Sequence, residues 1–178
     1  GLNGYTEGDV RTRTWSVFGD FTYDLTDQWA ISLGGRYTSD RRRSRILRET
    51  KILGTSPLFG GDAIAIATVT DFAGSAKFRD FNPRASISFK PNEDHLFYAS
   101  FAQGFKGGGF DPRGDARIAP DTDRNGTRSY QEIYDFFLFD PETVDSYELG
   151  WKATFGDVRF ALTGFYGDYK NVQIPGSV

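Results

Sequence analysis

Cysteine and methionine are both absent from this 178-residue chain, and histidine occurs once, at His95. Without cysteine there is no disulfide framework and no thiolate zinc site. One histidine beside a turn supports neither a catalytic triad nor a histidine-rich metal centre. No pair of carboxylates stands in a defensible catalytic geometry, so the chain does not read as an enzyme. No apolar run approaches the roughly 20 residues of a membrane helix. That excludes a helical span but not a barrel, whose strands alternate and so escape hydropathy. The net charge of −3 is too small to imply a nucleic-acid or acidic-lipid partner. Gly1-Leu2-Asn3-Gly4 is not basic and no apolar stretch follows, so no signal peptide is expected. The start, a glycine rather than methionine, reads as the edge of a fragment.

What is abundant is 21 Gly, 17 Phe and 9 Tyr, a makeup that favours strands and turns over helices. Three times, two alternating strands meet at a very short turn. The clearest pair is Ser146–Phe155 and Val158–Tyr169 around Gly156-Asp157. Tyr147, Leu149, Trp151, Ala153 and Phe155 share one face, and Val158, Phe160, Leu162, Gly164 and Tyr166 continue it. A two-residue turn sets Phe155 opposite Val158. A one-residue slip would put Trp151 among Glu148, Lys152 and Arg159, so the pattern fixes its own register.

The first hairpin, about Thr12 to Thr38, places Trp15, Val17, Gly19, Phe21, Tyr23 and Leu25 on one face. After the turn Thr26-Asp27-Gln28, that face resumes with Trp29, Ile31, Leu33, Gly35 and Tyr37. The middle hairpin joins Phe81–Phe89 to His95–Phe105 through Lys90–Asp94, a five-residue turn that would pair Phe89 with His95. Ala85, Ile87 and Phe89 then share a face with Phe97, Ala99 and Phe101. Between hairpins lie two long segments, Ser39–Arg79 and Lys106–Glu142. In the first, Ala63–Phe72 alternates weakly, as a strand extension would.

Short turns therefore alternate strictly with long loops, as in an up-and-down barrel with short turns on one rim. Tyr23, Trp29, Phe97 and Phe155 sit beside the short turns, where an interfacial aromatic girdle belongs. A soluble antiparallel sandwich fits these lengths and this asymmetry badly. The expected fold is all-β: an antiparallel, up-and-down transmembrane β-barrel segment of about six strands in three hairpins, with two long extracellular loops. The apolar face should meet lipid, and Asp20, Asp24, Arg36, Glu148, Lys152 and Arg159 should face a watery lumen or a plug.

Phe97-Tyr98-Ala99-Ser100-Phe101-Ala102-Gln103-Gly104-Phe105-Lys106-Gly107-Gly108-Gly109-Phe110 resembles the "YASYSxGFKxGGF" strand of TonB-dependent outer-membrane receptors. Phe81-Asn82-Pro83-Arg84-Ala85-Ser86 resembles the strand before it. Pro141-Glu142-Thr143-Val144-Asp145-Ser146-Tyr147-Glu148-Leu149-Gly150 resembles the "PExxxxYExG" strand after it. The resemblance implies one incomplete barrel domain over residues 1–178, in the outer membrane of a Gram-negative bacterium. In the intact protein it implies a plug domain and TonB as partners, and active uptake of an iron-siderophore, vitamin B12, nickel-chelate or carbohydrate substrate. A plug, a TonB box and a closing strand with a terminal aromatic are expected to lie outside this stretch. A passive porin-like channel and a soluble calcium-binding β-protein are the alternative readings.

Within the second long segment, Asp121–Glu132 matches the calcium-loop pattern D-x-[DN]-x-[DN]-G-x5-E throughout. Calcium takes about seven hard oxygen ligands. Asp121, Asp123 and Asn125 would offer side-chain oxygens, Thr127 its carbonyl, Ser129 a held water, and Glu132 both carboxylate oxygens. Gly126 would allow the sharp turn. Tyr130–Phe139, with Ile133, Phe136 and Phe137, reads as a short helix following the loop. No helix precedes it, and Arg128 stands where paired loops use an apolar residue, so a single loop-helix site is expected. The Arg41–Arg48 cluster would attract an anionic ligand, such as a ferric chelate or outer-leaflet lipopolysaccharide, or simply be solvated. Gly104 and Gly107–Gly109 lack the strand–loop–helix order of a phosphate cradle and read as a rim kink.

Overall fold

Strand pairing follows chain order with one interruption. The computed structural model describes residues 2–52 and 63–174. Strand β1 spans Leu2–Asp24, β2 Trp29–Ile52, β3 Ile64–Asn92 and β4 His95–Lys106. After β5 (Gly109–Phe110), a 3-10 turn (Ala116–Ile118), helix α1 (Tyr130–Phe137) and β6 (Leu138–Phe139) come β7 (Glu142–Phe155) and β8 (Val158–Lys170). One sheet has the order β1-β2-β3-β4-β7-β8, and β5 pairs only with β6. The chain divides into two units, one of Thr14–Ser39, Phe78–Gly107 and Pro141–Val178, the other of Gly1–Arg13, Asp40–Lys77 and Gly108–Asp140.

In the first unit the expected register of the last hairpin holds. Phe155 pairs with Val158, Trp151 with Leu162 and Tyr147 with Tyr166, while Lys152 meets Ala161 on the opposite face. Gly156 supplies the turn with φ +59, a left-handed conformation that glycine adopts at no steric cost. Phe165 departs from the expected pattern: it pairs with Glu148 on the polar face.

The apolar face is laced by aromatics. Trp29 stacks on Phe89 at 4.4 Å, Phe89 lies 6.4 Å from Phe97, Phe97 stacks on Trp151 at 5.9 Å, and Trp151 meets Phe160 at 5.2 Å. This row crosses β2, β3, β4, β7 and β8, each contact worth about 0.5–1.5 kcal/mol beyond burial. Farther along the strands lie Trp15 against Tyr37 and Phe101 against Tyr147. From Trp15 to Tyr23, Trp29 to Tyr37 and Tyr147 to Phe155 the spacing is the same. It covers about nine residues, roughly 26 Å at ~3.3 Å per residue, close to what a tilted strand needs to cross hydrocarbon. Past Tyr147 the same face turns polar: Asp145 accepts hydrogen bonds from Gln103 at 2.7 Å and Lys170 at 3.1 Å.

The middle hairpin corrects the sequence expectation. Phe89 pairs with Phe97 rather than His95, His95 pairs with Asn92, and a bulge separates Phe89 from Asn92. Pro91 has no N–H to give the ladder. Lys90 donates its N–H to the carbonyl of Gln28 instead, at 2.7 Å, and the Asn92 side chain accepts from the Asp94 N–H at 3.1 Å. The turn is therefore shorter than five residues. The shift is two residues, an even number, so the expected faces survive.

On the polar face, side chains lie across glycines. The Asp20 carboxylate and the Arg84 guanidinium pair at 2.6 Å over Gly34. Tyr98 lies over Gly150, donates to Glu148 at 2.5 Å and reaches the Thr163 hydroxyl at 3.4 Å.

The second unit has its own core of Ile46, Phe72, Phe110, Ala119 and Phe137. Here the sequence reading is corrected again. The expected strand extension at Ala63–Phe72 is the start of β3, but most of the rest of the described part of Ser39–Arg79, expected as a long loop, is also strand, belonging to β2 and β3. Residues 53–62, within the expected long loop, lie outside the described residues. Phe72 is the hub: Phe110, Tyr130, Tyr134 and Phe137 all pack around its ring.

Gly150→Val should drive Tyr98 off its seat and break its bond to Glu148, costing about 1–3 kcal/mol. Gly164→Val, whose added carbon meets nothing within 4 Å, should cost far less. Thermal denaturation of the two variants checks this, and equal losses would contradict the overlay.

Candidate functional site

Helix α1 begins at a full capping box. Ser129 is the N-cap, its Oγ accepting from the Glu132 N–H while the Glu132 side chain accepts from the Ser129 N–H. Tyr130 and Tyr134, one turn apart, donate their hydroxyls to the carbonyls of Ala73 at 2.9 Å and Ser75 at 3.1 Å. Phe137 closes the core beneath them at 1% exposure. The helix is therefore tied to β3 along its length, and it carries Glu132 into the 121–132 loop.

The three carboxylate residues of the predicted ligand set lie together in the structure. Asp121, Asp123 and Glu132 each have a carboxylate oxygen within 4.8 Å of the others. Gly126 takes the expected turn at φ +84, with Arg124 also left-handed at φ 57. Asp121 accepts from the N–H groups of Asn125 and Gly126 at 3.1 and 2.8 Å, which folds the loop around its carboxylate. The Asn125 Oδ1 accepts from the N–H and hydroxyl of Thr127, while its side-chain amide donates to Asp123 at 2.8 Å. Arg128 donates to the Ala119 carbonyl at 2.8 Å and lies 3.8 Å from Asp121.

Glu132 is 8% exposed, and both its oxygens are held. Oε1 accepts from the N–H and hydroxyl of Thr122 at 2.5 and 2.7 Å, and Oε2 from the N–H and hydroxyl of Ser129, both at 2.9 Å. These donors, the Thr122 hydroxyl foremost, favour the anion and lower its pKa from 4.5 to about 2. Asp121 is lowered too, chiefly by the Gly126 N–H. Thr122 is the residue that the sequence reading missed, and only the fold reveals it. The role of Ser129 was visible: Ser-x-x-Glu is itself a cap signature.

The other candidates are sorted by strand face. Arg42 pairs with Asp40 at 3.2 Å, and Arg48 donates to the carbonyls of Arg113 and Gly114 at 2.5 and 3.3 Å. These two arginines of the basic cluster hold structure, whereas Arg41, Arg43 and Arg45 are exposed. His95 stacks on Trp151 at 6.0 Å and accepts its indole N–H at 3.3 Å. The glycine run ends β4, and the Gly107 carbonyl accepts from Gln173.

Long antiparallel strands joined by short turns at one end, with an apolar face bounded by aromatics and a polar face tied by cross-strand bonds, define a piece of an up-and-down β-barrel. Residues 1–178 match the family described as TonB dependent receptor-like, beta-barrel. The chain belongs to that family. Its fold is similar to the crystal structure of the ferric yersiniabactin uptake receptor FyuA from Yersinia pestis, with TM-score 0.69 and 20% identity. The match covers 96% of this chain and 22% of FyuA, so the chain spans under a quarter of that receptor's length.

The pH dependence of the loop follows from Glu132. Its folded pKa lies below its ordinary value, so its stabilising effect is complete above about 4.5 and fades as pH falls towards about 2. Proteolysis of the 121–132 loop should accelerate over that window. Glu132→Gln should be susceptible at neutral pH and show little further change on acidification.

Proposed function

We propose that the chain forms part of the outer-membrane wall of a receptor that takes up a scarce small molecule, driven by TonB and gated by a plug carried elsewhere in the intact protein. One observation carries this reading: aromatic-bounded apolar stretches of membrane length share one sheet face, while Asp20–Arg84 and Tyr98–Glu148 tie the other. The apolar face meets lipid and the polar face meets water, plug or substrate. FyuA takes up ferric yersiniabactin, which makes a ferric chelate the first substrate class to test. In iron-starved cells carrying the full-length receptor, uptake of a radiolabelled ferric chelate should depend on TonB. Leu149→Arg, on the lipid face, should lower barrel assembly and uptake together, at a cost of ~2–4 kcal/mol for a charge near the bilayer midplane. Phe165→Arg, on the lumen face opposite Glu148, should leave assembly intact. Equal assembly of the two variants would sink the face assignment. Chelate uptake unaffected by loss of TonB would sink the transport reading.

The 121–132 loop is proposed to take calcium. The convergence of Asp121, Asp123 and Glu132 supports this, with Asn125, Thr127 and Ser129 as the remaining sequence candidates. Binding would require Glu132 to exchange its Thr122 and Ser129 donors for the ion, so affinity should be modest. Calcium should slow proteolysis of the loop in the unmodified protein. Asp121→Ala and Asp123→Ala, which leave the helix cap in place, should abolish that protection. Equal cleavage with and without calcium would rule the site out.

A further inference from the structure

Asparagine followed by glycine occurs twice in the chain, at Asn3-Gly4 and at Asn125-Gly126. The pair is chemically vulnerable. The glycine nitrogen can attack the asparagine side-chain carbon, because glycine presents no Cβ to block the approach. In that step a bond forms between Cγ and the glycine nitrogen. The Cγ–Nδ2 bond breaks, and the glycine amide proton leaves with the side-chain nitrogen as ammonia. Water then opens the cyclic imide. Cleavage at Cγ leaves aspartate, and cleavage at the backbone carbonyl carbon leaves isoaspartate, with the chain rerouted through the side chain. No electrons are exchanged, and water is the only co-reactant.

At Asn125-Gly126 the groups this reaction uses are all engaged. The Gly126 N–H donates to Asp121 Oδ2 at 2.8 Å. Attack must break that bond and strip the proton beside Asp121, Asp123 and Glu132, whose carboxylates converge. An anion forming there is repelled by its neighbours. The Asn125 side chain is tied as well: Nδ2 donates to Asp123 Oδ2 at 2.8 Å, and Oδ1 accepts from the N–H and hydroxyl of Thr127 at 2.8 and 2.6 Å. Packing adds nothing to this restraint. Asn125 and Gly126 are exposed, and a carbon added to Gly126 would meet nothing within 4 Å. Hydrogen bonds alone therefore stand between this pair and water. Asn3-Gly4 is exposed too, but it lies in β1 and is held extended by pairing with β2.

We propose that Asn125 is a site of spontaneous deamidation, held latent by the bond from the Gly126 N–H to Asp121. Whatever draws Asp121 away switches the site on. The product adds a carboxylate beside Asp121, Asp123 and Glu132, and isoaspartate lengthens the backbone of the loop by one carbon. The proposal stands apart from the transport and calcium readings, so the test is run with a chelator present. The full-length receptor is aged at neutral pH. Peptides carrying Asn3 and Asn125 are followed by mass spectrometry and by isoaspartyl methyltransferase labelling. Asn125 should react slowly in the folded protein and much faster in the same protein unfolded in urea. In the folded protein, Asp121→Ala should speed the reaction about tenfold or more, the worth of one charge-assisted hydrogen bond. Asp121→Asn, which keeps an acceptor oxygen, should fall between. Asn3 should keep its rate in both variants, and a parallel rise there would overturn the proposal by making the restraint the fold at large. A folded protein that reacts as fast as the unfolded chain also overturns it. So does one that reacts faster, because the loop would then promote the step with Asp121 as base. The unmodified protein alone decides these last two outcomes.

Discussion

The ladder between β7 and β8 pairs Phe155 with Val158, and that pairing decides the face of every residue behind it. Side chains in a strand alternate, so a shift of one residue would carry Trp151 and Leu149 into the company of Lys152 and Glu148. The penalty is asymmetric. In the proposed barrel wall a charge on the lipid face would cost several kcal/mol, while an apolar residue such as Phe165 on the watery face would cost far less. Register is therefore defended mainly by the charges, and the aromatic row across five strands then locks neighbouring ladders together.

The polar face is organised by glycine. A side chain cannot lie flat across a strand where a Cβ projects, yet Tyr98 crosses β7 at Gly150, and Asp20 meets Arg84 across β2 at Gly34. The Asp20–Arg84 pair is about half exposed, and such pairs contribute at most about 1 kcal/mol. Its value is geometric: it joins β1 to β3 over the strand between them. Tyr98 does the same for β4 and β8. Such bridges make three strands move as one without needing an apolar core on this side.

Most of the sheet was legible because alternation is a local signal. Strand identity, face and the two outer hairpin turns all follow from residues within one hairpin. The middle hairpin was misread because Pro91 and Asn92 look like turn residues, yet they form a bulge that leads into the turn. That bulge depends on Gln28 of another hairpin receiving the Lys90 N–H, a partner that no local pattern reveals. The core around Phe72 was missed for a similar reason. Its aromatics come from β3, β5 and α1, and only tertiary contact shows that Tyr130 and Tyr134 face β3. Their spacing of one helical turn was the available signal. Of the apolar helix residues the sequence singles out, Phe137 is in this core and Phe136 is exposed.

Two sequence signatures overlap on Glu132, and they compete for the same oxygens. As the last position of a calcium-loop pattern it would present both oxygens to an ion. As the fourth residue of Ser129-x-x-Glu132 it caps α1, and Thr122 takes the oxygen that the cap leaves over. Four donors already hold the carboxylate near full satisfaction, so an ion gains only the difference between coordination and these bonds. Asp121 closes the loop by gathering the N–H groups of Asn125 and Gly126. What an ion would change is the attachment of the loop to the helix, and through Tyr130 and Tyr134 that helix is fastened to β3. Glu132 is thus the residue through which any charge entering the loop would reach the strand.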